Sequence, residues 1–307
     1  MTSPTCGGRR TSSLLLLLLA LAGLVTACGE GTDDAEASEP PERLVIGGIP
    51  DQDPERLQRQ FGLVADHLAD ELGLQVAYEP VADYDAAVSA FRVGDLDLVW
   101  FGGLTGVQAR LQVDGARAIA QRDIDEEFRS VFIAGADTGI EPVDDVAGLS
   151  ALAGRTFTFG SDSSTSGRLM PQKFLADAGL SLDDLAGEPG FSGSHDATIE
   201  LVAAGSFDAG ALNAQVWDVR VAEGAVDTAR VVEVLRTPPY VDYHWVARPE
   251  LGDELIADIT AALLALDADD PDDAAVLELF GAGAFVETSD DRYADIEAVA
   301  RDVGLIR

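Results

Sequence analysis

The chain has 307 residues, of which 47% are hydrophobic, and its formal net charge at pH 7 is −35. This hydrophobic content is enough for a packed core in one large domain or in two lobes. So acidic a surface argues against nucleic acid as a partner, and it repels an anionic ligand at long range. An anion-binding site in this chain must therefore act at short range, through preorganised dipoles.

The N-terminus has the pattern of a bacterial lipoprotein export signal. Two arginines precede an apolar run over 14–24, and residues 25–28 match a lipoprotein cleavage box that ends at Cys28. The run is too short to span a membrane, which takes roughly 20 apolar residues. We expect a signal peptide over 1–27, lipid on Cys28, and a disordered acidic tether over 28–42. Cleavage at another site and twin-arginine export are the alternatives.

Hydrophobic periodicity predicts alternating strands and helices after the tether. The strands predicted in the first part of the chain lie at 43–49, 74–81, 96–101, 116–120 and 129–136, and the helices at 53–73, 83–94 and 102–113. This alternation predicts a parallel α/β sheet.

A second α/β set follows a linker with a short helix at 143–153. Its predicted strands lie at 155–159, 189–191, 209–212, 231–235 and 243–247, and its helices at 167–178, 195–204, 213–221, 251–266, 272–280 and 291–303. Two such sets with a return at the end predict a hinged α/β protein with a central cleft. Lobe 1 would comprise 43–130 and 240–307, and lobe 2 would comprise 131–239. Ligands of such sheets bind beyond the carboxyl ends of the strands.

A hydroxyl-rich turn between a predicted strand and a predicted helix is the main candidate binding element. Five of the six residues from 161 to 166 carry a hydroxyl, among them Ser163, Ser164, Thr165 and Ser166. A helix start offers unpaired N–H groups and the positive end of the helix dipole, which together with hydroxyls can bind an oxyanion. An ordinary N-cap is the alternative, although one serine would be enough for it. No Gly-Lys-Thr follows, so nucleotide hydrolysis is not predicted.

Other candidate ligand-binding residues lie near the predicted strand ends. They are Gln52, Tyr84, Phe101 and Gly102 in the first set, and His195 and Asn213 in the second. Asp208 lies at a predicted strand start, where a structural role is expected, although it could accept from a protonated ligand. Tyr84 could donate its hydroxyl to a ligand or lie on the surface, and His195 could donate one hydrogen bond or only cover a helix end. Phe101, like Trp100 and Trp217, could equally be core. His67 is expected to face solvent.

Enzyme chemistry is not predicted. The hydroxyl-rich turn lacks the Gly-x-Ser-x-Gly elbow of a serine nucleophile, and no dinucleotide-binding fingerprint precedes a helix. The three histidines lack metal-site spacing. Of the two cysteines, Cys6 leaves with the signal peptide and Cys28 would carry lipid, so no thiol remains. We therefore expect a protein that holds a ligand without transforming it, with no cofactor and no metal.

Several segments resemble the phosphate-, phosphite- and phosphonate-binding proteins of ABC importers, which have the type II periplasmic-binding-protein fold. These segments are Asp83-Tyr84, residues 90–102, Ser163-Ser164-Thr165-Ser166-Gly167 and Gly193-Ser194-His195-Asp196. Residues 49–56 and 99–106 more closely resemble an actinobacterial branch described as selenate-binding. The resemblance spans nearly the whole chain after the tether.

The resemblance implies roles for individual residues. Ser164, Thr165 and Ser166 would hold the tetrahedral oxygens, with His195 donating from the same lobe and Tyr84 from the other. The family commonly has Pro and Tyr where this chain has Gly103 and Gly106, so the Tyr contact is missing. A site rich in donors and poor in acceptors would suit a fully ionised anion such as selenate or sulfate. A protonated phosphonate would need an acceptor, for which Asp208 is the only nearby candidate.

The sequence therefore predicts an extracytoplasmic solute-binding lipoprotein of an ABC importer, held on the cell membrane by lipid on Cys28. It would close on a small tetrahedral oxyanion (selenate, sulfate, phosphite, phosphate or a phosphonate) and deliver it to a permease and its ATPase. We expect a monomer. A sensory or partner-binding lipoprotein on the same scaffold is the alternative, and an enzyme using His195 and a hydroxyl is the third hypothesis.

Overall fold

The computed structural model describes residues 43–306. The predicted signal peptide, the lipidation site at Cys28 and the tether over 28–42 lie outside these residues. Within 43–306, no helix combines the length and the apolar character that a membrane crossing requires.

The strands of the described chain belong to two sheets. In chain order they are β1 (Arg43–Gly48), β2 (Gln75–Tyr78), β3 (Leu98–Phe101), β4 (Arg117–Arg122), β5 (Ser130–Gly135), β6 (Phe157–Phe159), β7 (Gly190–Phe191), β8 (Ala209–Asn213), β9 (Val231–Arg236), β10 (His244–Ala247) and β11 (Phe285–Glu287). The first sheet has the order β11-β4-β10-β3-β1-β2, and the second has the order β7-β6-β8-β5-β9. Strand β11 was not predicted, because three residues are too few to show a period.

The α-helices cover the faces of these sheets. They are α1 (Pro54–Leu72), α2 (Tyr84–Val93), α3 (Gly103–Gln112), α4 (Met170–Asp177), α5 (His195–Ala203), α6 (Ala214–Ala222), α7 (Gly252–Leu264), α8 (Pro271–Phe280) and α9 (Ala294–Val303). The predicted helix start at Gly167 was two residues late, because a π turn over Thr165–Leu169 runs directly into α4.

Both sheets are mixed, so the prediction of a parallel sheet was only partly right. Strands β1, β2 and β3 are parallel, but β10 runs antiparallel to β3 and β4. In the second sheet, β5 runs antiparallel to β8 and β9. The reason is the path of the chain, which leaves one sheet and enters the other at 123–129 and again at 237–243. After each crossing the strand starts at the edge where its new neighbours end.

Local sequence signals account for the helix boundaries near the cleft. The Asp53 carboxylate accepts hydrogen bonds from the amides of Glu55 and Arg56, and Pro54 occupies the first helical position of α1. The Asp83 carboxylate caps α2 in the same way. Helix α1 ends at Gly73, whose φ of 64° is in the left-handed region that glycine adopts without strain. These boundaries confirm the predicted ones.

The second sheet is packed on both faces, which assigns Trp217 to the core. Val131 and Ile133 of β5 point into a cluster that also holds Trp217, while Phe132 points into the larger core shared with the first sheet. The prediction that His67 faces solvent was wrong. Its ring bonds the carbonyl oxygen of Ala262 at 2.9 Å, so it joins α1 to α7.

A histidine ring fills the space beside Gly106, one of the two positions where the chain departs from the resembling family. His244 is fully buried, and its ring stacks on that of Tyr293 with centroids 3.7 Å apart. A Cβ at Gly106 would lie 2.3 Å from the His244 ring. Only glycine at 106 is therefore compatible with this stack.

We expect Gly106→Ala to destabilise the protein by about 1–3 kcal/mol, because the buried His244 ring has no room to move. Urea unfolding followed by circular dichroism measures the change. Gly62→Ala, in the middle of α1 with nothing within 4 Å of the new Cβ, is the matched control and should stabilise by roughly 0.5–1 kcal/mol. Equal unfolding midpoints for the two variants would contradict the packing of His244 described above.

Candidate functional site

Helix N-termini from both lobes converge on the space between the two sheets. Helices α2, α3, α5 and α6 and the π turn before α4 each follow the carboxyl end of a strand. Their first amides lack intrahelical partners, and their dipoles place partial positive charge at these ends. This arrangement provides the short-range attraction for an anion that a net charge of −35 otherwise opposes.

The hydroxyl-rich turn is shaped by the π turn that follows it. Ser164 is the N-cap, and its hydroxyl oxygen accepts a hydrogen bond from the amide of Gly167. The wider π geometry begins with a bond from the Leu169 amide to the Ser164 carbonyl, at 2.9 Å. The amides of Thr165 and Ser166 lie at the start of this turn, where helices have no carbonyl to pair with. Such π turns occur frequently at functional sites.

The other three predicted hydroxyls, of Ser163, Thr165 and Ser166, differ in their hydrogen bonding. Ser163 donates to the Asp85 carboxylate of the other lobe at 2.5 Å, so its hydroxyl joins the lobes and is not directed at a ligand. The Thr165 hydroxyl oxygen accepts from the amide of Leu104, also across the cleft, at 2.9 Å. Ser166 has a buried hydroxyl with no hydrogen-bond partner.

Two further buried polar atoms near this turn lack partners. The buried hydroxyl of Tyr84 lies beside Ser164 and has no hydrogen-bond partner. The Asp242 carboxyl faces Thr165, and its Oδ1 accepts from the Gly103 amide at 2.9 Å, while its Oδ2 has no partner. Buried polar groups are normally hydrogen-bonded. Tyr84, Thr165, Ser166 and Asp242, which we call the anion site, therefore have donors and an acceptor available for a polar ligand.

Gly102 lets the two lobes approach each other at the anion site. A Cβ at this position would lie 3.1 Å from the Thr165 hydroxyl oxygen and 3.3 Å from Oδ1 of Asp242. Both distances are shorter than an ordinary carbon–oxygen contact, so a side chain at 102 would push the lobes apart. The structure thus brings the predicted residue Gly102 to the anion site, where its backbone and its lack of a side chain matter.

A second group of side chains, the Tyr243 network, lies beside the anion site and consists of Asp51, His195, Asn213 and Tyr243. The Tyr243 hydroxyl donates to Oδ2 of Asp51 at 2.8 Å and accepts from Nδ2 of Asn213 at 3.3 Å. Nδ1 of His195 accepts from the Asn213 amide, which leaves Nε2 as the donor to Tyr243 at 3.2 Å. The predicted residues His195 and Asn213 therefore lie together in the cleft, although here His195 donates to a tyrosine.

Burial changes the protonation of three groups in the cleft. It raises the pKa of Asp51 to about 6, against the opposing effect of the Tyr243 hydrogen bond. It raises the pKa of Asp242 to about 7, although the Gly103 amide favours the ionised form. It lowers the pKa of His195 to about 4, so the imidazole is neutral at pH 7. The expectation of a site poor in acceptors was therefore wrong, because two buried carboxyls line the cleft.

Asp208 and Phe101 do not lie where a ligand contact requires. Asp208 precedes the amino end of β8, whereas the cleft lies at the carboxyl end, and its Oδ2 accepts from the Thr156 amide at 2.8 Å. The Phe101 ring is fully buried in the core of lobe 1, edge-on to Phe91. Gln52 is half-buried and lines a narrow cleft next to Asp51.

The sequence analysis assigned no ligand contact to Asp51, Asp242 or Tyr243. Asp51 is adjacent to the predicted Gln52, and a carboxylate directly after a strand end was a usable signal. Asp242 and Tyr243 precede β10, and only the antiparallel direction of β10 brings them to the cleft. Among residues 43–306, no group of three or more His, Cys, Asp or Glu side chains is placed to hold a metal ion.

Comparisons with known proteins agree with this arrangement. Residues 46–293 match the family described as ABC transporter, phosphonate, periplasmic substrate-binding protein. A protein of Prochlorococcus marinus, described as a probable ABC transporter phosphite binding protein, PhnD1, is 44% identical over 272 residues, which cover 87% of this chain and 92% of that protein. The phosphate-import protein PhnD of Mycolicibacterium smegmatis is 26% identical over 252 residues, covering 77% and 76% of the two chains.

A solved structure of the Prochlorococcus PhnD1, in complex with methylphosphonate, superposes with a TM-score of 0.84 and covers 86% of this chain and 99% of that one. The prediction of a two-lobed type II periplasmic-binding-protein fold is thereby confirmed. The relatives are substrate-binding proteins of transporters, so the prediction that the chain is not an enzyme is confirmed as well. The chain belongs to the family of periplasmic substrate-binding proteins of phosphonate ABC importers.

Proposed function

We propose that this protein binds a phosphorus oxyanion that carries one small non-oxygen substituent, namely phosphite or a short alkylphosphonate, for an ABC permease. The observation that carries the proposal is a set of three buried polar atoms without hydrogen-bond partners: the hydroxyls of Tyr84 and Ser166, which can donate, and Oδ2 of Asp242, which can accept. The Prochlorococcus relative is described as a phosphite binder, and its structure contains methylphosphonate.

The Asp242 carboxyl favours a ligand that brings a proton. A carboxylate and a dianion in direct contact repel each other strongly in a buried site, so one proton must be shared between Asp242 and the anion. Phosphite and phosphonate monoanions carry that proton on a P–OH group, which can donate to Oδ2 of Asp242. The donors at the helix starts then bind the remaining oxygens.

Selenate and sulfate fit this site less well than the sequence suggested. They carry no proton at neutral pH, so Asp242 alone can supply the shared proton, and only protein whose Asp242 carboxyl is neutral can bind them. We therefore place selenate below phosphite and alkylphosphonates. Thermal-shift screening of phosphite, methylphosphonate, phosphate, sulfate and selenate ranks these ligands directly.

On this proposal the protein captures its ligand by closing two lobes about the crossings at 123–129 and 237–243. Lobe 1 comprises 43–130 and 240–307, and lobe 2 comprises 131–239. The hydrogen bonds from Ser163 to Asp85 and from the Leu104 amide to Thr165 support this view, since each joins one proposed lobe to the other. We further propose a monomer, delivered to the outer face of the membrane and held there by lipid on Cys28. An N-terminal mass that corresponds to acylated Cys28 would support the anchor, and an unmodified residue there would remove it.

Ser166→Ala should weaken phosphite binding at least about tenfold, because a buried hydroxyl donating to an anion contributes roughly 1.5–3 kcal/mol. Titration calorimetry measures the affinity. Ser206→Ala, at an exposed serine, is the control and should bind like the wild type. An Ser166→Ala variant with unchanged affinity and an unchanged unfolding midpoint would remove Ser166 from the anion site.

Phosphite affinity should fall as pH rises through about 7, the raised pKa of Asp242. The sign follows from burial: below this pH the carboxyl is neutral beside the anion, and above it the carboxylate repels the ligand. The loss should approach tenfold per pH unit, the limit for one linked proton.

Asp242→Asn removes this titration, so comparing the two proteins with the same ligand cancels the ligand's own protonation. Calorimetry from pH 6 to pH 9 should give a smaller pH dependence for the variant than for the wild type. Parallel profiles would show that Asp242 does not share the ligand's proton.

A further inference from the structure

Three side-chain atoms from different parts of the chain converge in front of Gly102. Measured from the Cβ position of residue 102, the Thr165 hydroxyl oxygen lies at 3.1 Å, Oδ1 of Asp242 at 3.3 Å and Cδ1 of Ile49 at 3.6 Å. Two of these atoms belong to the anion site. The third is the terminal methyl of an isoleucine, so an apolar group borders two residues of the anion site.

The position of Ile49 is fixed by the first sheet. It follows β1, and its amide donates to the carbonyl of Trp100 on β3 at 3.1 Å. Its side chain is 1% exposed. Backbone pairing therefore fixes residue 49 against β3, and its side chain is closed to solvent.

We propose that Ile49 determines which tetrahedral anions this protein accepts, by presenting its Cδ1 methyl to the non-oxygen substituent of the ligand. This inference rests on the proposed function. A hydrogen or a methyl group on phosphorus loses nothing against an apolar wall. A fourth oxygen in the same place would be buried without a donor, a loss that discriminates more strongly than an added methylene does.

The apolar wall would let a site so rich in donors reject phosphate. Donors at the helix starts would bind any oxyanion, and the Asp242 carboxyl would accept from any P–OH group. Neither distinguishes phosphite from phosphate monoanion. A fixed methyl adjoining Thr165 and Asp242 supplies the missing distinction.

The variants Ile49→Val and Ile49→Thr test this assignment, because both lose Cδ1 and have nearly the same shape, while only threonine adds a hydroxyl. Calorimetry with phosphite, methylphosphonate and phosphate gives a ratio of Kd values within each protein. A ratio within one protein is insensitive to a loss of folded fraction. We expect the wild type to prefer phosphite over phosphate at least tenfold, and Ile49→Val to keep this preference within about threefold. Ile49→Thr should reduce the preference at least tenfold relative to Ile49→Val.

Equal phosphate-to-phosphite ratios in the valine and threonine variants would overturn the role of Ile49 while leaving the proposed function intact. A wild-type protein that binds none of the three phosphorus anions would overturn the proposed function and this assignment with it. A wild type that binds phosphate as tightly as phosphite would also overturn the assignment, since no discrimination would remain to explain.

Discussion

The cleft combines two opposing electrostatic effects on an anion: attraction by the helix N-termini and repulsion by a buried carboxyl group. The positive ends of α2, α3, α5 and α6 and of the π turn attract an anion over a few ångströms. Asp242 is buried among them, and on the proposed function it accepts a negative charge beside it only when a proton is shared. Together they would select a ligand by charge state as well as by shape, in a protein whose net charge repels anions at long range.

Topology places this carboxyl. The chain crosses from the second sheet to the first at 237–243, and β10 then enters between β3 and β4 in the antiparallel sense. Its amino end, with Asp242 and Tyr243, consequently lies where the parallel strands end. A return strand that closes the sheet thus also supplies two side chains of the cleft, and Arg122 lies 4.9 Å from the Tyr243 ring centroid to support one of them.

Sequence reasoning was reliable where a strand leads directly into a helix. Tyr84, Thr165, Ser166 and Asn213 all stand at such junctions, and their place in the cleft follows from the handedness and length of βα units. Asp242 was out of reach, because the direction of a strand after a long crossing depends on which neighbours it finds in space. For Asp208 the structural role was the better of the two expectations, since a residue that precedes a parallel strand lies at the edge opposite the ligand.

The hydrogen bond between Ser163 and Asp85 bears on how long the two lobes would stay closed. Ser163 adjoins the hydroxyls that face the anion, yet its own hydroxyl spans the cleft to a carboxylate on α2. On the proposed closure, opening the lobes would break this charged hydrogen bond whether or not an anion is inside. The lifetime of the closed form would then depend partly on a contact outside the anion site, and a permease that opens the lobes would have to break that contact for every ligand.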